Sequence, residues 1–131
     1  MCVKVFLADD AEVIRKAIRM LLSGRDDIAV VGEASNFLET IQKTAELHPD
    51  LIILDLNLPD RDRIPSTEVR SLLKGERVLA MTFGTDDPDE GLLHSIGASK
   101  LLDKMDLSEQ LIPAILELAE VRELHSFSSA L

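Results

Sequence analysis

Short apolar runs alternate along this chain with stretches in which apolar residues return every three or four positions. Val3 to Ala8 is apolar except for Lys4 and stops at Asp9-Asp10, which predicts a first strand. Val13, Ile14, Ala17, Ile18, Leu21 and Leu22 follow at helical spacing, with Arg15, Lys16 and Arg19 on the other side. Gly24 is placed to cap that helix. Ile28 to Val31 reads as a second strand. Phe37, Leu38, Ile41, Ala45 and Leu47 mark a second helix, closed by His48-Pro49 because proline cannot continue it. Leu51-Ile52-Ile53-Leu54 has no alternation, so it predicts a strand buried on both faces.

A charged loop, Asp55 to Arg63, precedes a third helix over Pro65 to Lys74 and a fourth strand at Val78 to Met81. Asp86-Asp87-Pro88 opens a fourth helix that stops near Gly97, since an acidic cap and a first-turn proline suit a helix start. Lys100 to Leu102 is the fifth strand. Asp106-Leu107-Ser108-Glu109 has the form of a capping box before a last helix with Leu111, Ile112, Ile115, Leu116, Ala119 and Leu124 on its buried face and Pro113 in its second turn. Five strand–helix units imply an α/β fold, a (βα)5 doubly wound parallel sheet. At this size the flavodoxin-like strand order 2-1-3-4-5 fits. Residues 1–124 form one domain and residues 125–131 a short C-terminal tail.

Composition narrows the functions. The chain has 131 residues, 46% hydrophobic and 29% charged, enough apolar material for one core. Its net charge is 14 − 24 = −10, which disfavours direct binding to nucleic acid. No stretch reaches the roughly 18 apolar residues of a membrane span, and no signal peptide opens the chain. The single cysteine, Cys2, excludes an internal disulfide and reads as a half-buried packing residue. The composition points to a cytoplasmic protein.

In an open parallel sheet, ligands bind beyond the carboxyl ends of the strands, where the strand order reverses. Strand 1 ends in Asp9-Asp10, strand 3 in Asp55 and strand 4 in Thr82, and Lys104 follows strand 5. Taken singly, each has an ordinary reading as a turn, a strand end or a surface lysine. Together they bring three carboxylates, a hydroxyl and an ammonium to one edge. Crowded carboxylates need a cation, and an all-oxygen set suits Mg2+. A carboxylate is also a nucleophile towards phosphorus, and phosphoryl transfer needs positioning and charge neutralisation of this kind. The scattered His48, His94 and His125 form no zinc-type cluster, and no glycine-rich phosphate loop is present.

At these residues the chain resembles the receiver domain of bacterial two-component response regulators, the CheY-like superfamily. The resemblance runs from about Val3 to Leu124. It is carried by Phe6-Leu7-Ala8-Asp9-Asp10, by Pro49 to Pro59 with Asp55 at its centre, by Met81-Thr82, and by Gly97-Ala98 followed by Lys104. It implies that Asp55 takes a phosphoryl group from a sensor histidine kinase or phosphotransfer protein. It further implies that Asp10 ligates Mg2+ directly with Asp9 as its acidic neighbour, and that Asn57 offers a main-chain carbonyl to the metal. Thr82 becomes the switch hydroxyl and Lys104 the phosphoryl partner. Phosphorylation would then reshape the face of the fourth helix, fifth strand and fifth helix for a downstream protein or a second copy of the chain. The seven residues after the last helix leave no room for an output domain, so the chain is either a stand-alone receiver or the receiver part of a longer regulator.

Four positions depart from the family pattern. Leu101 replaces a common aromatic, so no ring can swing there. Phe83 stands where a small residue is usual, as a packing residue or a lid. Met105 replaces a proline that often carries a cis bond, so a trans bond is expected. Arg63 replaces a glycine. Leu101, Phe83 and Arg63 favour one alternative, a receiver-like binding module that works without phosphorylation; the intact Asp10, Asp55, Thr82 and Lys104 oppose it. A flavodoxin-like electron carrier fits poorly, with aromatics at 3%. Arg15, Lys16 and Arg19 are either a solvated helix face or a docking surface for the phosphoryl donor.

Overall fold

A computed structural model of the chain describes residues 2–65, 77–84, 93 and 97–129, and from residue 120 onwards the helix backbone alone. Five strands form one sheet: β1 (Val3–Ala8), β2 (Ile28–Ala34), β3 (Leu51–Asp55), β4 (Val78–Thr82) and β5 (Lys100–Asp103). Their order is β2-β1-β3-β4-β5, and every neighbouring pair is parallel. The expected strand order is therefore present, with helices packed on both faces of the sheet. The described helices are α1 (Glu12–Leu22), α2 (Phe37–Leu47) and the C-terminal α3 (Leu107–Ser129). The expected third helix, Pro65 to Lys74, and most of the expected fourth lie outside the described residues. At the end of the latter, Ala98 N–H donates to Leu93 O (3.1 Å) around Gly97, whose φ of 65° is left-handed. That is the bond and the glycine of a helix C-terminus.

The sheet divides the core in two. On one face Val3, Val5, Leu7, Ile53, Leu79, Met81 and Leu102 pack against Ile18 and Leu22 of α1 and Leu111, Ala114, Ile115 and Leu118 of α3. On the other, Phe6, Ala8, Ile52, Leu54 and Ala80 meet Phe37 of α2. The alternation along β1 supplies both faces, and β3 is buried throughout, as its unbroken apolar run requires. β1 and β2 slip register between Val5 and Phe6, pairing Val5 with Val30 and Phe6 with Gly32. Gly32 is needed there, because a Cβ would come within 2.9 Å of the Phe6 ring.

Several local expectations change. β2 runs on to Ala34, three residues past Val31. α1 ends at Ser23 in helical geometry, and Gly24 is not left-handed. Val13 and Ala17 are exposed, so the α1 stripe is narrower than the spacing implied. In α2 the exposed residues include Leu38, Ala45 and Leu47, while Thr40 and Thr44 are buried. Their hydroxyls donate to Asn36 O and Thr40 O (2.7 Å each), which satisfies them inside the core. α3 is entered through a 3-10 turn, Lys104–Asp106, capped by Asp103 rather than by the expected box at Asp106. It continues past Leu124 to Ser129, so the first residues of the expected tail are helical. Cys2 is exposed, not half-buried. No described helix is long and apolar enough to cross a membrane.

Candidate functional site

The β1–α1 turn fixes the first carboxylates. Asp9 N–H donates to Ala34 O (3.1 Å), which prolongs the β1–β2 pairing, and Asp9 Oδ1 accepts from Ala11 N–H (2.8 Å) at the start of α1. Asp9 is fully buried and Asp10 is exposed. Asp55 ends β3, buried, with Oδ1 accepting the Asn57 N–H (2.9 Å). Carboxylate oxygens of Asp9, Asp10 and Asp55 lie within 4.8 Å of one another. Lys104 reaches in from the end of β5. Its Nζ stands 2.7 Å from Asp9 Oδ2 and 3.2 Å from Asp55 Oδ2, and its side chain is only 4% exposed.

Thr82 closes β4 at the same sheet edge, buried, and pairs with Asp103 in the ladder. Asn57 is exposed and joined to Asp55 through its main-chain N–H. The sequence-predicted residues thus gather at one edge, with the three carboxylates close together and Lys104 paired with Asp9 and Asp55.

Burial pushes the Asp55 carboxyl above its ordinary range. The Asn57 N–H and the Lys104 ammonium pull it down without cancelling that, and Asp9 adds to the rise. Asp9 Oδ2 is buried and accepts no hydrogen bond, although Lys104 approaches it as an ion-pair partner. The contact is short, but the ammonium is poorly aligned for a hydrogen bond. A buried carboxylate oxygen with an unused lone pair, beside two more carboxylates, fits a hard divalent cation of the Mg2+ type.

Residues 5–116 match the family described as response regulator receiver domain. The chain belongs to that family. A protein-glutamate methylesterase/protein-glutamine glutaminase 1 of Methanosarcina acetivorans is 33% identical over 129 residues, covering 94% of this chain and 36% of that protein. The response regulator protein VraR of Staphylococcus aureus is 39% identical over 90 residues, 68% of this chain and 43% of VraR. The chain thus spans less than half the length of these two relatives. The response regulator domain of Thermotoga maritima CheB superposes with a TM-score of 0.74 at 22% identity, covering 90% of this chain and 96% of that one; this likeness shows the fold.

Around the receiver site the departures take concrete form. Phe83 is 44% exposed, and Lys104 Nζ lies 5.0 Å from its ring centroid, a cation–π contact at the mouth of the site. No cis peptide bond occurs among the described residues, in keeping with Met105. Arg63 is an exposed residue of a 3-10 turn, Arg61–Arg63. Leu101 is partly exposed on the edge strand.

The supporting roles of four residues escaped the sequence reading. Arg15 Nη1 donates to Asp9 O (2.6 Å), and Arg15 and Arg19 are both paired with Glu12 and Glu33. These arginines brace the acidic turn, so of the three basic residues only Lys16 is left as an exposed cation without a bracing role. Asp60 accepts from Phe37 and Leu38 N–H (2.7 and 3.1 Å), tying the loop after Asp55 to the start of α2. Arg61 donates to Leu56 O (3.2 Å) in the same loop. Each bond joins residues distant in sequence or uses a long side chain's reach, which periodicity does not encode.

Proposed function

We propose that this receiver domain accepts a phosphoryl group on Asp55 from the phosphohistidine of a sensor histidine kinase or a phosphotransfer protein. A carboxylate oxygen of Asp55 attacks phosphorus, the P–N bond breaks and the imidazole leaves. The observation that carries this is the Lys104 ammonium held between Asp9 and Asp55 in a buried acidic cluster. Lys104 sets its Nζ against the phosphoryl oxygens, and the Asn57 N–H orients the attacking carboxylate. The Thr82 hydroxyl donates to a phosphoryl oxygen. Asp9, Asp10, Asp55 and the Asn57 carbonyl would hold Mg2+, and a cation there would supply further positive charge to those oxygens. Hydrolysis at the same site returns Asp55 to its free carboxylate.

The change at Thr82 and Lys104 is read by a downstream protein on the adjoining face of β5 and α3. With Leu101 in place of a ring, the readout runs through the backbone after Thr82. Intact-protein mass after incubation with acetyl phosphate tests the reading. One phosphoryl group should be added with Mg2+, none without it, and none in Asp55→Asn. Uptake by Asp55→Asn equal to that of the unsubstituted chain would overturn the assignment.

A further inference from the structure

β4 and β5 separate after their last ladder pair, Thr82 with Asp103. At that pair and one residue past it stand the two groups that must meet the phosphoryl oxygens, the Thr82 hydroxyl and the Lys104 ammonium. Past the ladder, the Asp103 carboxylate ties these ends together. Asp103 Oδ1 accepts the Met105 N–H (2.9 Å) and also the Gly84 N–H (3.0 Å), nineteen residues away in the chain. The first bond alone would cap the 3-10 turn. The second is long-range and has no part in that cap.

Gly84 shows how closely the carboxylate is seated. A Cβ at position 84 would lie 2.0 Å from Asp103 Oδ2, so any larger residue there must turn the carboxylate aside. Between the two anchored positions sit Phe83, under the Lys104 ammonium, and Lys104 itself. Asp103 therefore grips both neighbours of the reactive pair: the segment just after Thr82 and the residue just after Lys104.

The geometry points to Asp103 as a positioning residue that sets Thr82 and Lys104 at a fixed separation across the strand ends. It touches neither the phosphoryl group nor the metal ligands; it acts through the backbone of Gly84 and Met105. It rests on the reading of Asp55 as phosphoryl acceptor. Reactions limited by positioning are sensitive to small displacements, so loosening this tie lowers the rate of phosphoryl uptake while leaving the carboxylates that hold Mg2+ intact.

The test measures the rate of Asp55 phosphorylation by acetyl phosphate with Mg2+, in the full chain, alongside Mg2+ affinity and the amide proton shifts of Gly84 and Met105. Asp103→Leu removes the acceptor at similar size and should slow uptake about tenfold with Mg2+ affinity unchanged. Asp103→Asn keeps an acceptor oxygen and should stay within about threefold of the unsubstituted rate. Gly84→Ala displaces the same carboxylate, so Gly84→Ala combined with Asp103→Leu should be no slower than Asp103→Leu alone. An unchanged rate in folded Asp103→Leu, or an Asp103→Asn as slow as Asp103→Leu, overturns this proposal alone. No uptake by the unsubstituted chain overturns the acceptor reading and this proposal with it.

Discussion

The Lys104 ammonium lies closer to Asp9, at 2.7 Å, than to Asp55, at 3.2 Å. All three side chains are buried, so each charge depends on the others. Removing the ammonium leaves two carboxylates in a low-dielectric pocket without their counterion, a change of about 3 kcal/mol or more. Lys104→Ala should therefore unfold at markedly lower urea than the unsubstituted chain in the absence of divalent cations. Adding Mg2+ should recover much of the difference, because the cation replaces the missing charge. Equal urea midpoints without Mg2+ would show that the ion pairs carry no stability.

The raised proton affinity of Asp55 has a definite consequence for stability. An acid that binds its proton more tightly when folded stabilises the native state at low pH and loses that contribution as pH rises through its folded pKa. The effect is complete below the ordinary carboxylate range and absent above the raised value. Asp55→Asn removes the buried charge, so at pH 7.5 without Mg2+ its thermal midpoint should exceed that of the unsubstituted chain by about 3 °C. The gap should close as pH falls into the carboxylate range. A gap that widens on acidification would contradict the sign.

Asp60 joins the loop after Asp55 to the N-terminus of α2, where Asn36 already caps the Glu39 N–H (2.8 Å). Two first-turn N–H groups depend on Asp60. Asp60→Ala should cost about 1 kcal/mol in urea unfolding, as loss of a helix cap does. Asp60→Asn, which keeps an acceptor oxygen, should cost less. Identical losses in the two variants would place the effect elsewhere than in the cap.

The strands were legible because their signals are local. Leu51 to Leu54, with no alternation, predicted a strand buried on both faces, and the acidic or polar residues ending the first, third and fourth strands marked the sheet edge where Asp9, Asp10, Asp55 and Thr82 lie. Lys104 was legible only through its place after the fifth strand. The helices were harder. Thr40 and Thr44 are core residues that count as polar, and Val13 and Leu38 are exposed residues that count as apolar. Gly24 had the right residue type for a left-handed cap, yet α1 ends in a turn that uses none. Asp103 looked like any acidic residue beside a lysine. Its role depends on Gly84, which pairwise spacing along the chain does not bring near.

Of the three clustered carboxylates, Asp55 is the one assigned to become an acyl phosphate. Borohydride reduces an aspartyl phosphate to homoserine and leaves free carboxylates unchanged, so peptide mass spectrometry after acetyl phosphate and Mg2+ locates the acceptor. That assignment requires homoserine at position 55 alone, and none when Mg2+ is withheld. Homoserine at position 9 or 10, with Asp55 intact, would contradict it.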